Sequence, residues 1–207
     1  MVSHRRRLLL GSAVVLVASA LALGIVTYKR QQRHDGALAY GQAFYLYQMS
    51  QADSSPGELA MLIQKFNAVA NDYASISAGW QARLLAGSLL MAAGEYASAE
   101  ESLRQLSNES SLAPEFSALV WGALGQCLEA AGKTDAAVQA YAKAAGLSGP
   151  GSANIWRSDQ ARLLLADNAQ QAQDIYRQIL NSSRSRFLRF NASSRLTHMG
   201  QDAGGLD

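Results

Sequence analysis

Three regimes of hydrophobic patterning follow one another along the chain. Residues 8–27, LLLGSAVVLVASALALGIVT, are apolar or small throughout and carry no charge. From Gly36 the apolar positions recur at helical spacing instead, with Ala37, Tyr40, Phe44 and Tyr47 marking one face. That helix is expected to stop at Asp53-Ser54-Ser55-Pro56. Ser55 is placed to cap the next one, with Pro56 at its first position and Glu58 three residues on, a capping box. Leu59, Leu62, Ile63, Phe66 and Val69 then give its buried face, so 36–71 is expected to form one hairpin. Further pairs are predicted over 80–107, over 115–131 with 134–145, and over 153–166 with 169–181, followed by a last helix over 185–199. No convincing strand pattern intervenes, and the class predicted is all-α.

The third regime is a rhythm of small residues inside these helices. The run from Trp121, WGALGQCLEAAGKTDAAVQAYAKAAG, puts Ala or Gly where a solvent-facing helix would carry charge. Trp121-x2-Leu124-Gly125-x2-Leu128 is followed by Ala137-x3-Tyr141-x2-Ala144, with Gly132 at the turn. In a tight antiparallel pair the crossing points admit only small side chains, and Gly125 and Ala137 are expected there. Trp121, Leu124, Leu128 and Tyr141 would fill the space beside them, and Ala144 would let the next hairpin approach. Weaker copies hold Gly87, Gly94 and Ala99 in the pair before, and Ala172 and Tyr176 in the pair after. The starts near 80, 118 and 153 lie 38 and 35 residues apart. This spacing and residue pattern resemble the tetratricopeptide repeat (TPR) family, whose period is about 34 residues. The departures are Leu128 for the usual tyrosine, Tyr141 for phenylalanine, and Pro150 one place late. The resemblance covers about 80–181 and implies a TPR-like α-solenoid, with 185–199 as a capping helix.

The apolar run changes where such a solenoid would sit. Twenty residues in a helix span roughly 30 Å, about the thickness of a bilayer core. Residues 1–7 are then expected as a short cytoplasmic tail and 8–28 as an uncleaved transmembrane helix. The competing reading is a signal peptide cleaved at Ala18-Ser19-Ala20, which would leave LALGIV exposed at the mature end. Arginines 5–7 precede the run and Lys29, Arg30 and Arg33 follow it, so charge leaves orientation nearly balanced. A short tail, one span and a TPR-like domain together resemble the bacterial family that includes the ancillary subunit of the Sec translocon. That resemblance implies a scaffold at the inner membrane, its domain in the periplasm, binding translocon subunits or periplasmic chaperones and catalysing nothing itself. A soluble secreted adaptor and a homo-oligomeric structural protein are the alternatives.

Composition narrows the chemistry. Six of the eighteen basic residues lie in 1–34 with no acid, leaving twelve against sixteen acids in 35–207, a mildly acidic body ill-suited to general nucleic-acid binding. Cys127 is the single cysteine and falls on the apolar side of its helix, so a small buried hydrophobe is expected. His4, His34 and His198 have no ligand partner three or four residues away, so neither a metal nor a cofactor is expected. Arg184, Arg186, Arg189 and Arg195 interleave with Phe187 and Phe190, a pattern that nucleic acid or anionic lipid would fit. The expectation adopted is a basic outer face with the aromatics turned inward. The partner-facing positions expected on the first helices are Gln81, Arg83, Gln126, Glu129, Arg157 and Gln160.

Overall fold

A computed structural model describes the backbone of residues 2–50 and 55–204, and the side chains of 19–50 and 55–200. Among the described residues there are nine helices and no strand. They are α1 (Val2–Met49), α2 (Pro56–Asp72), α3 (Ser77–Ala92), α4 (Tyr96–Ser107), α5 (Pro114–Ala130), α6 (Thr134–Leu147), α7 (Ala153–Leu164), α8 (Ala169–Ser182) and α9 (Arg186–Gly204). Each helix packs on the next, and α1 on α3, α3 on α5 and α7 on α9 as well. The chain is therefore a row of helix hairpins whose core is built in series.

The first cluster joins Ala43 of α1 to Leu62, Phe66 and Val69 of α2 and Ala82, Ala86 and Leu89 of α3. The second runs from Leu90 through Ala99 and Leu103 to Leu124, Cys127, Leu128, Ala137 and Tyr141. The third gathers Ala161, Ala172, Ile175, Tyr176, Ile179 and Ala192 at the far end. Burying a side chain such as Phe66 contributes about 2–3 kcal/mol, so each hairpin depends on a neighbour to cover its apolar face.

The helix ends follow from local chemistry. The Glu58 amide donates to Ser55 Oγ at 3.3 Å and the Ser55 amide to Glu58 Oε2 at 2.9 Å, closing the capping box of α2. Gly94 and Gly132 adopt φ of 77° and 74°, the left-handed conformation that ends α3 and α5. The following amides, Glu95 and Lys133, then reach back to Leu90 and Leu128 carbonyls at 2.9 and 2.8 Å.

Two features differ from the sequence-based layout. The apolar run and the first helix of the 36–71 hairpin are one continuous helix, because the linking residues 29–35, KRQQRHD, contain no Gly or Pro and mostly favour helix. Gly36 does not interrupt it either; it is buried, and a Cβ there would lie 2.8 Å from Ile76 Cδ1 and 2.9 Å from Tyr73 Cδ1. Residues 8–18 of the expected span lie outside the described side chains. Among the described residues no helix is long and apolar enough to cross a membrane. The second difference is at α9. It caps the row through Leu188, Ala192, Leu196 and Met199, whereas Phe187 and Phe190 are 72% and 75% exposed. The aromatics point outward because Leu188, Ala192, Leu196 and Met199 fall at spacings of four, four and three residues and claim the inner face.

Candidate partner-binding surfaces

Contact between small and large residues sets how closely the helices approach. Gly125 is buried under the Tyr141 ring, where a Cβ would lie 2.7 Å from Cδ1, and Gly87 sits likewise against Leu103 at 2.9 Å. Ala99, Ala137, Ala144 and Ala172 are fully buried, as are Leu124 and, nearly so, Leu128, Tyr141 and Tyr176. Trp121 is half-buried, with Lys143 Nζ 4.1 Å from its ring centre. Sequence reasoning missed Gly122. Its missing side chain makes room for Trp156, which stacks on Tyr141 with ring centres 6.3 Å apart and planes 14° apart. Gly122 receives a ring from the next hairpin, and the visible signal was only that Trp156 occupies the repeat position of Trp121.

Ion pairs tie one hairpin to the next at a fixed interval. Arg162 of α7 donates from Nη1 and Nη2 to Glu129 of α5 at 2.7 and 2.8 Å, and Tyr141 Oη donates to Glu129 Oε2 at 3.0 Å. Lys133 Nζ donates to Glu100 Oε2 at 2.7 Å, and Arg104 Nε to Glu100 Oε1 at 2.9 Å. Both inter-hairpin pairs span 33 residues, close to one repeat. The Arg162 guanidinium holds the Glu129 carboxyl below the usual carboxylate range, and the Lys133 ammonium does the same for Glu100. Burial, helped by the Glu129 carboxylate, pushes the Tyr141 phenol well above its ordinary value. Asp159 is raised by burial, although Arg162 lies 3.6 Å away and opposes the shift.

The six candidate partner residues have different surroundings. Gln81 and Gln126 are exposed and Gln160 is half-buried. Glu129 is held by Arg162 and Tyr141. Arg157 Nη1 donates to Asn154 Oδ1 at 3.0 Å, which also accepts from Ser182 Oγ at 3.3 Å. Arg83 points into a groove between α2, α3 and α4, donating to Gln105 Oε1 at 2.7 Å and Asn71 Oδ1 at 3.2 Å. That groove, of about 350 Å³, is lined by the amides and hydroxyls of Asn67, Ser98, Ser102 and Gln105 and by the carboxylates of Glu95 and Glu101, over the apolar Ile63 and Leu90. Such side chains can donate to and accept from a peptide backbone, and none of the lining outside Arg83 appeared among the candidates.

Other surfaces carry less chemistry. Leu38, Gly41, Tyr45 and Leu46 line an apolar strip along α1 away from α2. The Cys127 thiol is buried, raised in pKa by that burial, and donates to the Tyr96 carbonyl at 3.4 Å. Among the described residues no group of three His, Cys, Asp or Glu comes together to hold a metal ion.

By sequence the chain matches no protein-family profile and no curated protein. By structure it is similar to solved TPR-like proteins. The TPR-like repeats of a kinesin light chain from Podosopora anserina superpose with a TM-score of 0.62 at 16% identity, covering 82% of this chain and 87% of that one. MamA 41-end from Desulfovibrio magneticus RS-1 gives 0.55 at 14%, covering 73% and 77%. A MamA double mutant gives 0.56 at 15% over the same shares. At these identities the likeness establishes the fold, a TPR-like α-solenoid.

Proposed function

We propose that this chain is a membrane-anchored scaffold that binds protein partners at the cell envelope and performs no catalysis of its own. The observation that carries the scaffold reading is the polar groove around Arg83, where side chains of α2, α3 and α4 converge. A groove of this kind suits an extended peptide segment recognised through its backbone, with Glu95 and Glu101 favouring a basic side chain on it and disfavouring an acidic one.

The anchor reading rests on α1. Leu21, Leu23, Ile25, Val26 and Tyr28 are each more than half exposed, and together they surround the helix instead of marking one face. Thr27, the one hydroxyl in 20–27, donates back to the Leu23 and Gly24 carbonyls at 3.0 Å, which satisfies it without water. Lys29, Arg30 and Arg33 follow directly. The proposed placement is a single span over 8–28 in the inner membrane, with the solenoid in the periplasm and translocon subunits or periplasmic chaperones as partners. Because α1 is continuous and Gly36 seats it against Tyr73 and Ile76, the hairpins begin within a few turns of the span.

The test is a crosslinking pull-down of the full-length chain from its native membranes, beside a chain with residues 1–34 replaced by an unrelated anchor. Recovery of translocon subunits that needs the native span supports the translocon assignment. Recovery of only soluble envelope proteins, unchanged by the swap and lost on Arg83→Glu, removes that assignment and keeps the scaffold. Recovery of the chain in the soluble fraction without residues 1–20 removes the anchor.

A further inference from the structure

We propose that the outer face of α9 is a docking site for an anionic phospholipid surface. The helix has two faces of different character. Leu188, Ala192, Leu196 and Met199 bind it to the end of the solenoid. On the opposite side Phe187 and Phe190, three residues apart and therefore neighbours on one face, stand almost free of the protein. At about 100° per residue, Arg186 falls beside the two rings, Arg189 and Arg195 fall on the two margins where this face meets the inner one, and Arg184 comes just before the helix. No acid occurs between Asp174 and Asp202, and among the described residues none of these four arginines has an ion-pair partner.

Fold stability does not account for this arrangement. Arg186 and Arg189 lie in the first turn of α9, which holds no acid, and so face the positive end of the helix dipole, where a cation is unfavourable. The two phenylalanines bury little of their area. Rings at the middle of a face with arginines at its edges match a helix lying in the interfacial plane, the rings entering the acyl boundary and the guanidiniums meeting headgroup phosphates. An acidic surface supplies the complementary charge. A bilayer fits better than an extended nucleic acid, because the chain is net acidic over 35–207 and would repel a polyanion laid along it, whereas a flat surface needs to meet only the outer face of α9, the last layer among the described residues. The site is separate from the proposed span and does not depend on it.

The experiment places a reporter in the patch of the full chain. Phe190→Trp is compared with the parent, whose emission comes from Trp80, Trp121 and Trp156, in vesicles of brominated phosphatidylcholine with or without brominated phosphatidylglycerol. The expected result is about a twofold loss of the added emission in the anionic vesicles alone. The variant that also carries R184Q, R186Q and R189Q should lose this quenching, because three fewer charges weaken attraction to an anionic surface by roughly a hundredfold. Any association through residues 1–34 is unaffected, so vesicle flotation of that variant reports the span independently. Far-ultraviolet circular dichroism of each variant establishes that α9 remains folded. Equal quenching in both vesicle types, or none in either, overturns the proposal. An emission change with a single-stranded RNA oligonucleotide but not with vesicles also overturns it and assigns the patch to nucleic acid.

Discussion

The middle of the solenoid and the outer faces of its two end helices treat aromatic side chains in opposite ways. Around α5–α8 two large rings have receiving surfaces: Tyr141 lies on Gly125, Trp156 on Gly122 and Tyr141, and the Tyr141 hydroxyl donates to Glu129. At the ends, Leu38, Tyr45 and Met49 of α1 and Phe187 and Phe190 of α9 are exposed, with no such receivers among the described residues. Small residues in the middle therefore have a packing reason, while large residues at the ends call for a functional one. The substitution that separates these regions most is Tyr141→Ala. It removes a buried ring that two helices share, and is expected to destabilise the chain by about 3–5 kcal/mol in urea unfolding followed by circular dichroism. A loss below about 1 kcal/mol would mean that the Gly125–Tyr141–Trp156 stack does not hold the middle together.

Glycines sharpen the comparison, because one residue type predicts opposite signs. Gly125→Val forces a branched side chain into the Tyr141 ring and is expected to cost about 1–3 kcal/mol. Gly41→Ala, in the exposed strip of α1, meets nothing within 4 Å and is expected to add about 0.5–1 kcal/mol through helix propensity. The same melting experiment reads both. If both substitutions destabilise, the strip on α1 is covered in the folded protein.

How much of this was legible in the sequence follows the same division. Contacts within a hairpin could be read, since Gly125 and Tyr141 lie sixteen positions apart in one repeat unit and the small-large pattern announces them. Gly122 could not, because its partner Trp156 belongs to the next hairpin and a within-repeat pattern has no place for it. The Glu129–Arg162 pair was hidden for a related reason: each residue looks solvated on its own helix, and only the stack brings them to 2.7 Å. In α9 two apolar periodicities overlap. Phe187, Leu188 and Phe190 read as one inner face until Leu196 and Met199 are counted with Leu188. The continuity of α1 through 29–35 was hidden by a change of composition that is not a change of backbone.

A third prediction tests the tie between hairpins. Arg162→Ala should lower stability by about 1 kcal/mol, because the pair is partly screened and the bidentate geometry offsets only some of its solvation. Its signature is in the pH dependence. Glu129 is depressed below its unfolded value, so its contribution is complete above roughly pH 4–5 and fades as the pH falls through the lower folded value. Asp159 is raised and acts with the opposite sign, since protonating it removes an unfavourable buried charge. Glu100 adds to the acid-sensitive side through Lys133 and is untouched by the substitution. Wild-type stability should therefore drop between about pH 5 and 3, and the drop should be shallower in Arg162→Ala. Identical slopes would show that the pair contributes nothing to acid sensitivity.

The smallest expected effect carries the most information about the ends. Replacing Phe187 and Phe190 together with serine should change stability by no more than about 0.5 kcal/mol, as for exposed positions away from any cap or network. Leu188→Ala on the inner face of the same helix should cost more, because it thins the layer that covers Ile175 and Ile179. Both variants are compared by urea midpoint under one set of conditions, so that denatured-state differences largely cancel. A large loss from the double serine variant would mean that the rings are packed in solution, against the solenoid or against another copy of it. A null result, joined to anionic-vesicle quenching of the Phe190→Trp reporter that is lost with R184Q, R186Q and R189Q, would separate the two faces of α9 by experiment: one face closes the fold, and the other is retained for what lies outside it.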